Sequence, residues 1–319
     1  MPSRVQPPSA AQLREQGSET PAFFPVGTAR GKIRLCRRAQ PPSTAQLWEQ
    51  GSETPSMPEL PEVETTLRGI QPFLAGATVR EIVVRNASLR WPVPAEVDLA
   101  AGRNVARCWR RAKYLLIELD PAESEDTTAQ GGLLIHLGMS GSLRVCRFTD
   151  APLKHDHVDI ILENGTCIRF NDPRRFGVFS WWDSPPEEHK LLRGLGPEPL
   201  SEHFSGRHLW ERSRGRKGAV KTFIMDGKNV VGVGNIYASE ALFMSGIHPS
   251  RAAGRVSLAR YEALAAAIRD VLNRSIRLGG PTLRDFVNSD GNPGYFAQEL
   301  LVYVREGLPC FQCGSSLRR

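Results

Sequence analysis

The spacing of apolar residues divides the chain after residue 56 into a strand-rich part and a later helical part. Four apolar residues recur at helical spacing near its start: Val63, Leu67, Ile70 and Leu74. This spacing predicts an amphipathic helix from about residue 61 to residue 74. Pro61 suits the first turn of that helix, because a proline there gives up an N–H that has no partner within the helix.

Five β-rich runs follow this helix: residues 78–85, 104–120, 131–145, 157–172 and 175–183. Asn164-Gly165 inside the fourth run is a strong signal for a tight hairpin turn, because both residues tolerate positive φ. Residues 121–130 are polar and acidic, which predicts a loop. Several short strands separated by turn signals predict a β-sandwich.

The pattern changes after residue 183. Residues 184–188 read Ser-Pro-Pro-Glu-Glu, which predicts a linker. Helical spacing then returns at residues 235–245 and 257–278, and Gly279-Gly280 is a stop signal for the second helix. A strand-rich half followed by a helical half predicts an α+β chain of two domains.

The first 56 residues differ from the rest. Residues 6–21 return as residues 40–55, with changes only at Ala10/Thr44 and Arg14/Trp48. Two short copies poor in apolar residues cannot bury a shared core, which predicts disorder. Since Met57-Pro58-Glu59 looks like a protein start, we interpret residues 1–56 as upstream sequence translated from a start placed too early. A regulatory tail is the alternative.

Charge and composition limit which partners and cellular locations fit the sequence. The 41 Lys and Arg residues exceed the 34 Asp and Glu residues, giving a net charge of +7. An excess of this sign favours a polyanionic partner such as nucleic acid, although an ordinary basic enzyme would also show it. The sequence contains no run of 18 apolar residues, so it does not predict a membrane span. The six cysteines do not form a secreted disulfide framework, so we expect a cytoplasmic protein.

Cys310 and Cys313 are the one closely spaced cysteine pair. Their spacing is that of half a tetrahedral zinc site, which needs four ligands. Only residues 314–319 follow, and they contain neither histidine nor cysteine. We therefore expect the sequence to end inside a zinc finger and to bind Zn²⁺ weakly.

Several separate runs together resemble the formamidopyrimidine-DNA glycosylase family of bacterial base-excision repair enzymes. The runs are Met57–Glu64, Arg110–Tyr114, His136–Gly141, Asn171–Gly177, Gly232–Tyr237 and Gly294–Phe296. The resemblance covers residues 57–319. It implies a catalytic β-sandwich domain at 57–184, a helical helix–two-turn–helix domain at 185–299 and an incomplete zinc finger at 300–319. It also implies one Zn²⁺ per complete chain.

The resemblance implies that Pro58 is the nucleophile once it is N-terminal. A free secondary amine, with an ordinary pKa of about 8, can attack a sugar carbon, whereas a proline inside a chain cannot. Glu59 would be the general acid, Glu62 a further carboxylate of the site, and Lys113 a second catalytic group at the elimination stage. Without the resemblance, Pro58 and Glu59 would be ordinary residues at the start of a helix and Lys113 a solvated strand end.

The resemblance also implies a DNA interface. Met139, Arg174 and Phe176 would fill the gap left by a flipped nucleotide, with the arginine bonding the orphaned cytosine. Phosphates would be bound by His155, Arg175, Arg216, Lys217, Lys221 and Asn235. Tyr295 would lie in a loop, residues 289–296, that closes over the flipped base.

Two functions remain open. The first is a bifunctional glycosylase and AP lyase that removes 8-oxoguanine and formamidopyrimidines from double-stranded DNA. The second is an inactive protein that binds damaged DNA, because Pro58 is internal and the zinc finger is incomplete. Nothing in the sequence indicates a dimer, so we expect a monomer in the bacterial cytoplasm, associated with the nucleoid.

Overall fold

A computed structural model describes residues 57–121, 131–279 and 299–318. The strand-rich half contains helix α1 and eight strands: α1 Leu60–Leu74, β1 Val79–Val84, β2 Val105–Arg111, β3 Tyr114–Leu119, β4 Gly131–His136, β5 Ser142–Arg147, β6 Asp156–Leu162, β7 Thr166–Asn171 and β8 Val178–Trp182. The helical half contains α2 Gly206–Ser213, α3 Val220–Met225, α4 Asn235–Met244 and α5 Leu258–Arg277. Short 3₁₀ helices lie at Ala95–Ala100 and Ala253–Arg255.

The strands form two antiparallel four-stranded sheets, in the orders β1-β6-β7-β5 and β2-β3-β4-β8. Alternate residues of both sheets are buried in one shared core: Leu115, Ile117, Leu133, Ile135, Val158, Ile160, Ile168 and Phe170. The α+β fold with a β-sandwich half is therefore confirmed. The outer face of the second sheet is buried as well, against Leu192 of the segment that follows β8.

The predicted runs contain more turns than the sequence indicated. The run 104–120 is a hairpin that turns at Ala112-Lys113, and the run 131–145 divides into β4 and β5. Asn164-Gly165 makes the predicted turn between β6 and β7, with Gly165 at a φ of +82°. The missed turn at Ala112 carries no glycine or asparagine, so the local sequence did not reveal it.

Helix α1 joins the two halves. Its four periodic residues, Val63, Leu67, Ile70 and Leu74, lie in the core of the sandwich, as predicted. Leu60, at its first position, lies instead in the core of the helical half. The Leu60 N–H donates to the Gly232 carbonyl at 3.0 Å, and Gly232 has a φ of +79°. The start of α1 therefore lies at the junction of the halves.

The helical half is built around α4 and α5, as the sequence predicted within one or two residues. Two shorter helices, α2 and α3, were not predicted, because six to eight residues hold too few turns to show a periodic pattern. Ser205 caps α2 by accepting the His208 N–H at 3.1 Å. The helices placed within the described ranges are all too short or too polar to pass through a bilayer.

Candidate active site

The carboxyl group of Glu59 is buried where α1 begins and is held by the first residues of α4. Its Oε2 accepts the Gly234 N–H at 2.6 Å and its Oε1 accepts the Ile236 N–H at 2.9 Å. A helix N-terminus favours such an acceptor because its first N–H groups have no partner inside the helix. Position 234 must be glycine, since a Cβ there would lie 2.4 Å from Cδ of Glu59. Pro58, directly before Glu59, is buried as well.

Glu62 lies behind Glu59 in a chain of buried hydroxyl groups. Its Oε2 accepts the Glu59 N–H at 2.6 Å, and its Oε1 accepts the Tyr237 hydroxyl at 2.6 Å. The Tyr237 hydroxyl also bonds the Ser275 hydroxyl at 2.7 Å. The three side chains come from α1, α4 and α5, so the site is assembled from both halves of the molecule.

Burial makes both carboxyl groups weaker acids. It raises the pKa of Glu59, and the charge of Lys113 and the N–H groups of α4 oppose this only in part. Burial, together with the neighbouring Glu59, raises the pKa of Glu62 to about 7. Two carboxyl groups this close cannot both ionise easily, so the pair holds a proton near neutral pH. A buried acid that keeps its proton is suited to general acid catalysis.

Lys113 lies at the tip of the β2–β3 hairpin, near enough for its charge to lower the pKa of Glu59. The structure therefore brings Glu59, Glu62 and Lys113 together. Lys221 of α3 belongs to the same region, because burial lowers its pKa and the charge of Glu59 opposes that shift. Their clustering agrees with the roles that the resemblance implied, although the roles themselves stay predictions.

His136, at the end of β4, is a site residue to which the sequence analysis gave no role. Burial, together with the charges of Lys113 and Arg90, lowers its pKa to about 4. Its Nδ1 accepts the Gly138 N–H at 2.9 Å, so the neutral ring keeps its proton on Nε2 and can donate there. The motif containing His136 was noticed, but a single histidine beside a strand gives no signal of its own.

The two loops that carry Met139 and Phe176 are bound to each other. Ser140 donates to Asp172 at 2.7 Å, and the same hydroxyl accepts the Arg174 N–H at 3.1 Å. Asp172 also accepts the Gly177 N–H at 2.7 Å. Phe176 is 44% exposed, and the Arg174 guanidinium lies 5.1 Å from its ring centre. The three predicted gap-filling residues therefore share one surface.

The predicted phosphate contacts occupy several surfaces. Asn235 is exposed at the first position of α4, and Arg216 is exposed in the loop before α3. His155 is partly exposed before β6, with its ring centre 6.4 Å from that of His157. Tyr295 lies outside the described residues, as do residues 1–56 and the predicted closing loop.

The two cysteines fit half of a zinc site. The Cys310 sulfur accepts the Gln312 N–H at 3.4 Å, and the Cys310 carbonyl accepts the Gly314 N–H at 2.8 Å, so the pair lies on a tight turn. Within residues 57–121, 131–279 and 299–318, no three His, Cys, Asp or Glu side chains gather into a metal site. A tetrahedral zinc needs four ligands, so the described residues alone do not hold one.

Comparison with known proteins decides the family. Residues 57–179 match the formamidopyrimidine-DNA glycosylase N-terminal domain, and residues 195–287 match the formamidopyrimidine-DNA glycosylase H2TH domain. The chain belongs to the formamidopyrimidine-DNA glycosylase family. The formamidopyrimidine-DNA glycosylase of Alcanivorax borkumensis is 59% identical over 265 residues, covering 82% of this chain and 94% of that protein. That of Methylococcus capsulatus is 55% identical over 263 residues, with the same coverage.

Solved structures of this family share the fold. The MutM (Fpg) protein of Thermus thermophilus superposes with a TM-score of 0.72 at 38% identity, covering 82% of this chain and 93% of that one. The Lactococcus lactis Fpg bound to DNA containing an abasic site gives a TM-score of 0.72 at 27% identity, with the same coverage. Membership of this family makes the protein a DNA-repair enzyme of the glycosylase and AP lyase class, with oxidised purines as its substrates.

Proposed function

We propose that this glycosylase excises 8-oxoguanine and formamidopyrimidines through a Schiff base on Pro58 and then cleaves the DNA strand, acting as a monomer in the bacterial cytoplasm. One observation carries the proposal. The carboxyl group next to Pro58, that of Glu59, is buried, is oriented by the N–H groups of α4 and has a raised pKa. A proton donor fixed beside the nucleophile is what opening of the deoxyribose ring requires.

Base excision begins when the lone pair of the Pro58 nitrogen forms a bond to C1′ of the flipped nucleotide. The glycosidic bond breaks, its electron pair leaves with the base, and the base takes up a proton. The Pro58 nitrogen, now positively charged, loses its N–H proton, which balances the proton taken up by the base. Glu59 then donates its proton to O4′, the C1′–O4′ bond breaks with its electron pair on the oxygen, and the freed lone pair of the nitrogen completes an iminium with C1′.

Strand cleavage follows from the iminium, which acidifies the hydrogens on C2′. Loss of one C2′ proton gives an enamine, whose electron pair expels O3′ with the 3′ phosphate and leaves a conjugated iminium. Loss of a C4′ proton then breaks the C5′–O5′ bond and releases the 5′ phosphate. Lys113 is assigned to this stage. Its position near Glu59 supports the assignment, because a cation there stabilises the carboxylate that remains after ring opening.

The nucleotide must leave the helix before this chemistry, and the loops of Met139 and Phe176 are assigned to filling its place. Their apolar side chains can wedge into the base stack, while Arg174 bonds the unpaired cytosine. Two solved complexes of one relative support a DNA substrate of this kind: the Lactococcus lactis Fpg was crystallised with DNA containing Fapy-dG and with DNA containing an abasic site.

A second candidate rests on one feature of the sequence as written. Pro58 follows Met57 through a peptide bond, so its nitrogen is an amide without an available lone pair. In that form the protein would bind damaged DNA without cleaving it. The mechanism therefore requires a chain that begins at Pro58, after removal of Met57.

Borohydride trapping distinguishes the two candidates. A chain expressed from Met57, with removal of that methionine checked by intact mass, is incubated with an 8-oxoguanine duplex and sodium borohydride. We expect a reduced covalent adduct, and we expect none from the 319-residue chain, which is the matched control. A duplex without the lesion gives the background for both.

Strong trapping by the unprocessed 319-residue chain would contradict the mechanism, since its proline is acylated. Binding of the damaged duplex by both chains without any adduct would support the second candidate instead.

A further inference from the structure

The turn that carries Lys113 has an unusual backbone. Ala112 and Lys113 form the two-residue turn between the paired residues Arg111 and Tyr114. Ala112 has a φ of +56° and is 4% exposed. Glycine normally occupies such a position, because a Cβ crowds the backbone there. Conformations of this kind persist only where the surrounding contacts hold them.

Glu198 supplies those contacts. Its Oε1 accepts the Ala112 N–H at 2.7 Å, and its Oε2 accepts Nη1 of Arg110 at 2.8 Å. The same Nη1 donates to the Ala112 carbonyl at 2.8 Å, so both backbone polar groups of Ala112 are bonded within this cluster. Arg111 donates to Oε1 of Glu198 at 2.9 Å. One carboxylate therefore accepts the Ala112 N–H and a bond from each preceding arginine, while Arg110 also bonds Glu64 and Arg111 also bonds backbone carbonyls.

The segment that carries Glu198 is itself attached to the helical half. The Gly196 N–H donates to the Gly227 carbonyl at 2.8 Å, and the Val231 N–H donates to the Pro197 carbonyl at 3.2 Å. Gly227 and Val231 lie in the loop between α3 and α4, the helix that holds Glu59. Glu198 thus links the hairpin tip of the sandwich half to the loop that precedes α4.

We propose that Glu198 is a positioning residue that fixes Lys113 relative to Pro58 and Glu59. The inference rests on the proposed function of Lys113. The carboxylate is 22% exposed and accepts three donors, so its loss releases the Ala112 N–H and frees one contact of each arginine. A hairpin tip freed in this way shifts the lysine away from the sugar.

The test compares Glu198→Ala with Glu118→Ala in the chain that begins at Pro58. Glu118 pairs with Arg107 on the same hairpin but has no hydrogen bond to the turn. We expect Glu198→Ala to lower kcat for strand cleavage by about 10- to 100-fold, the range for a misplaced catalytic group, while KM changes little. Glu118→Ala should stay near the unmodified enzyme, because its partner Arg107 is largely exposed.

Glu198→Gln is the conservative variant, because its amide oxygen can still accept the Ala112 N–H. We expect it to recover part of the lost kcat. If Glu198→Ala does not fold, Glu198→Gln takes its place in the comparison with Glu118→Ala. Amide hydrogen exchange at Ala112 gives a readout that does not depend on activity. Exchange should accelerate in Glu198→Ala and remain unchanged in Glu118→Ala.

The outcomes separate the two proposals. An unmodified enzyme that forms no adduct and cleaves no strand overturns the proposed function, whatever Glu198 does. An active enzyme in which Glu198→Ala retains full kcat, or in which exchange at Ala112 does not change, overturns the inference about Glu198 alone.

Discussion

The pKa of one buried carboxyl group in this protein is shifted in the opposite direction to the pKa values of two others. Asp159 on the outer face of the sandwich is 1% exposed, and Glu59 and Glu62 at the junction of the halves are 2% and 0% exposed. These side chains are therefore almost equally inaccessible to solvent. The pKa of Asp159 is nevertheless lowered, whereas those of Glu59 and Glu62 are raised.

The difference lies in the hydrogen-bond donors. Asp159 receives two bonds from Arg169, at 3.0 and 2.9 Å, and one from Arg85 at 2.6 Å. Burial alone would raise its pKa, but the bonds from the two arginines outweigh that effect. Glu59 and Glu62 are bonded by backbone N–H groups and by the Tyr237 hydroxyl, which are neutral. Charged donors lower the pKa of the buried Asp159, whereas the neutral donors of Glu59 and Glu62 leave the effect of burial dominant.

The largest effect should come from Glu59→Gln in the chain that begins at Pro58. The amide keeps the shape of the side chain but cannot protonate O4′. We expect the rate of ring opening to fall by about 10² to 10⁴, the usual contribution of a general acid. Single-turnover trapping with 8-oxoguanine DNA measures this rate. A Glu59→Gln enzyme with full activity would show that the raised pKa of this residue has no part in the reaction.

A smaller effect, on stability rather than on activity, should follow from Asp159→Asn. Arg169 is 2% exposed and would lose the charged partner to which it is hydrogen-bonded, keeping only the more distant Asp156 at 3.9 Å. Breaking one side of a buried ion pair typically costs about 3–5 kcal/mol in the free energy of unfolding. Urea denaturation measures this loss. Activity per folded molecule should stay unchanged. A loss of activity without a loss of stability would contradict the structural role given to Asp159.

The smallest of the three effects concerns Glu62→Gln and pH. The folded pKa of about 7 lies above the ordinary value of 4.5, so the unfolded chain loses this proton first as pH rises. The free energy of unfolding should therefore fall between pH 4.5 and 7, by roughly 3 kcal/mol at about 1.4 kcal/mol per pH unit. Glutamine imitates the protonated acid and should remove the part of this slope that Glu62 contributes, leaving the part that the raised pKa of Glu59 contributes. Denaturation at several pH values tests it, and equal slopes in both proteins would refute the pKa of about 7.

Sequence patterns predicted the parts of the fold whose signals are local. The spacing of Val63, Leu67, Ile70 and Leu74 predicted α1 and its buried face, and Asn164-Gly165 predicted the β6–β7 turn. Periodicity reports which face of an element is buried, and turn chemistry reports where the chain reverses. The resemblance of the separate runs added the family, which the comparisons confirmed.

The partners of the buried carboxyl groups are distant in sequence and are brought together by folding. Glu59 and Gly234 are 175 residues apart, as are Glu62 and Tyr237, while Glu198 and Ala112 are 86 residues apart. No local pattern records such partners, because each depends on how two halves of the chain are packed. Local patterns therefore predicted the longer elements and the resemblance predicted the family, whereas packing set the pKa shifts of the carboxyl groups, since a pKa depends on the donors and charges that folding brings close.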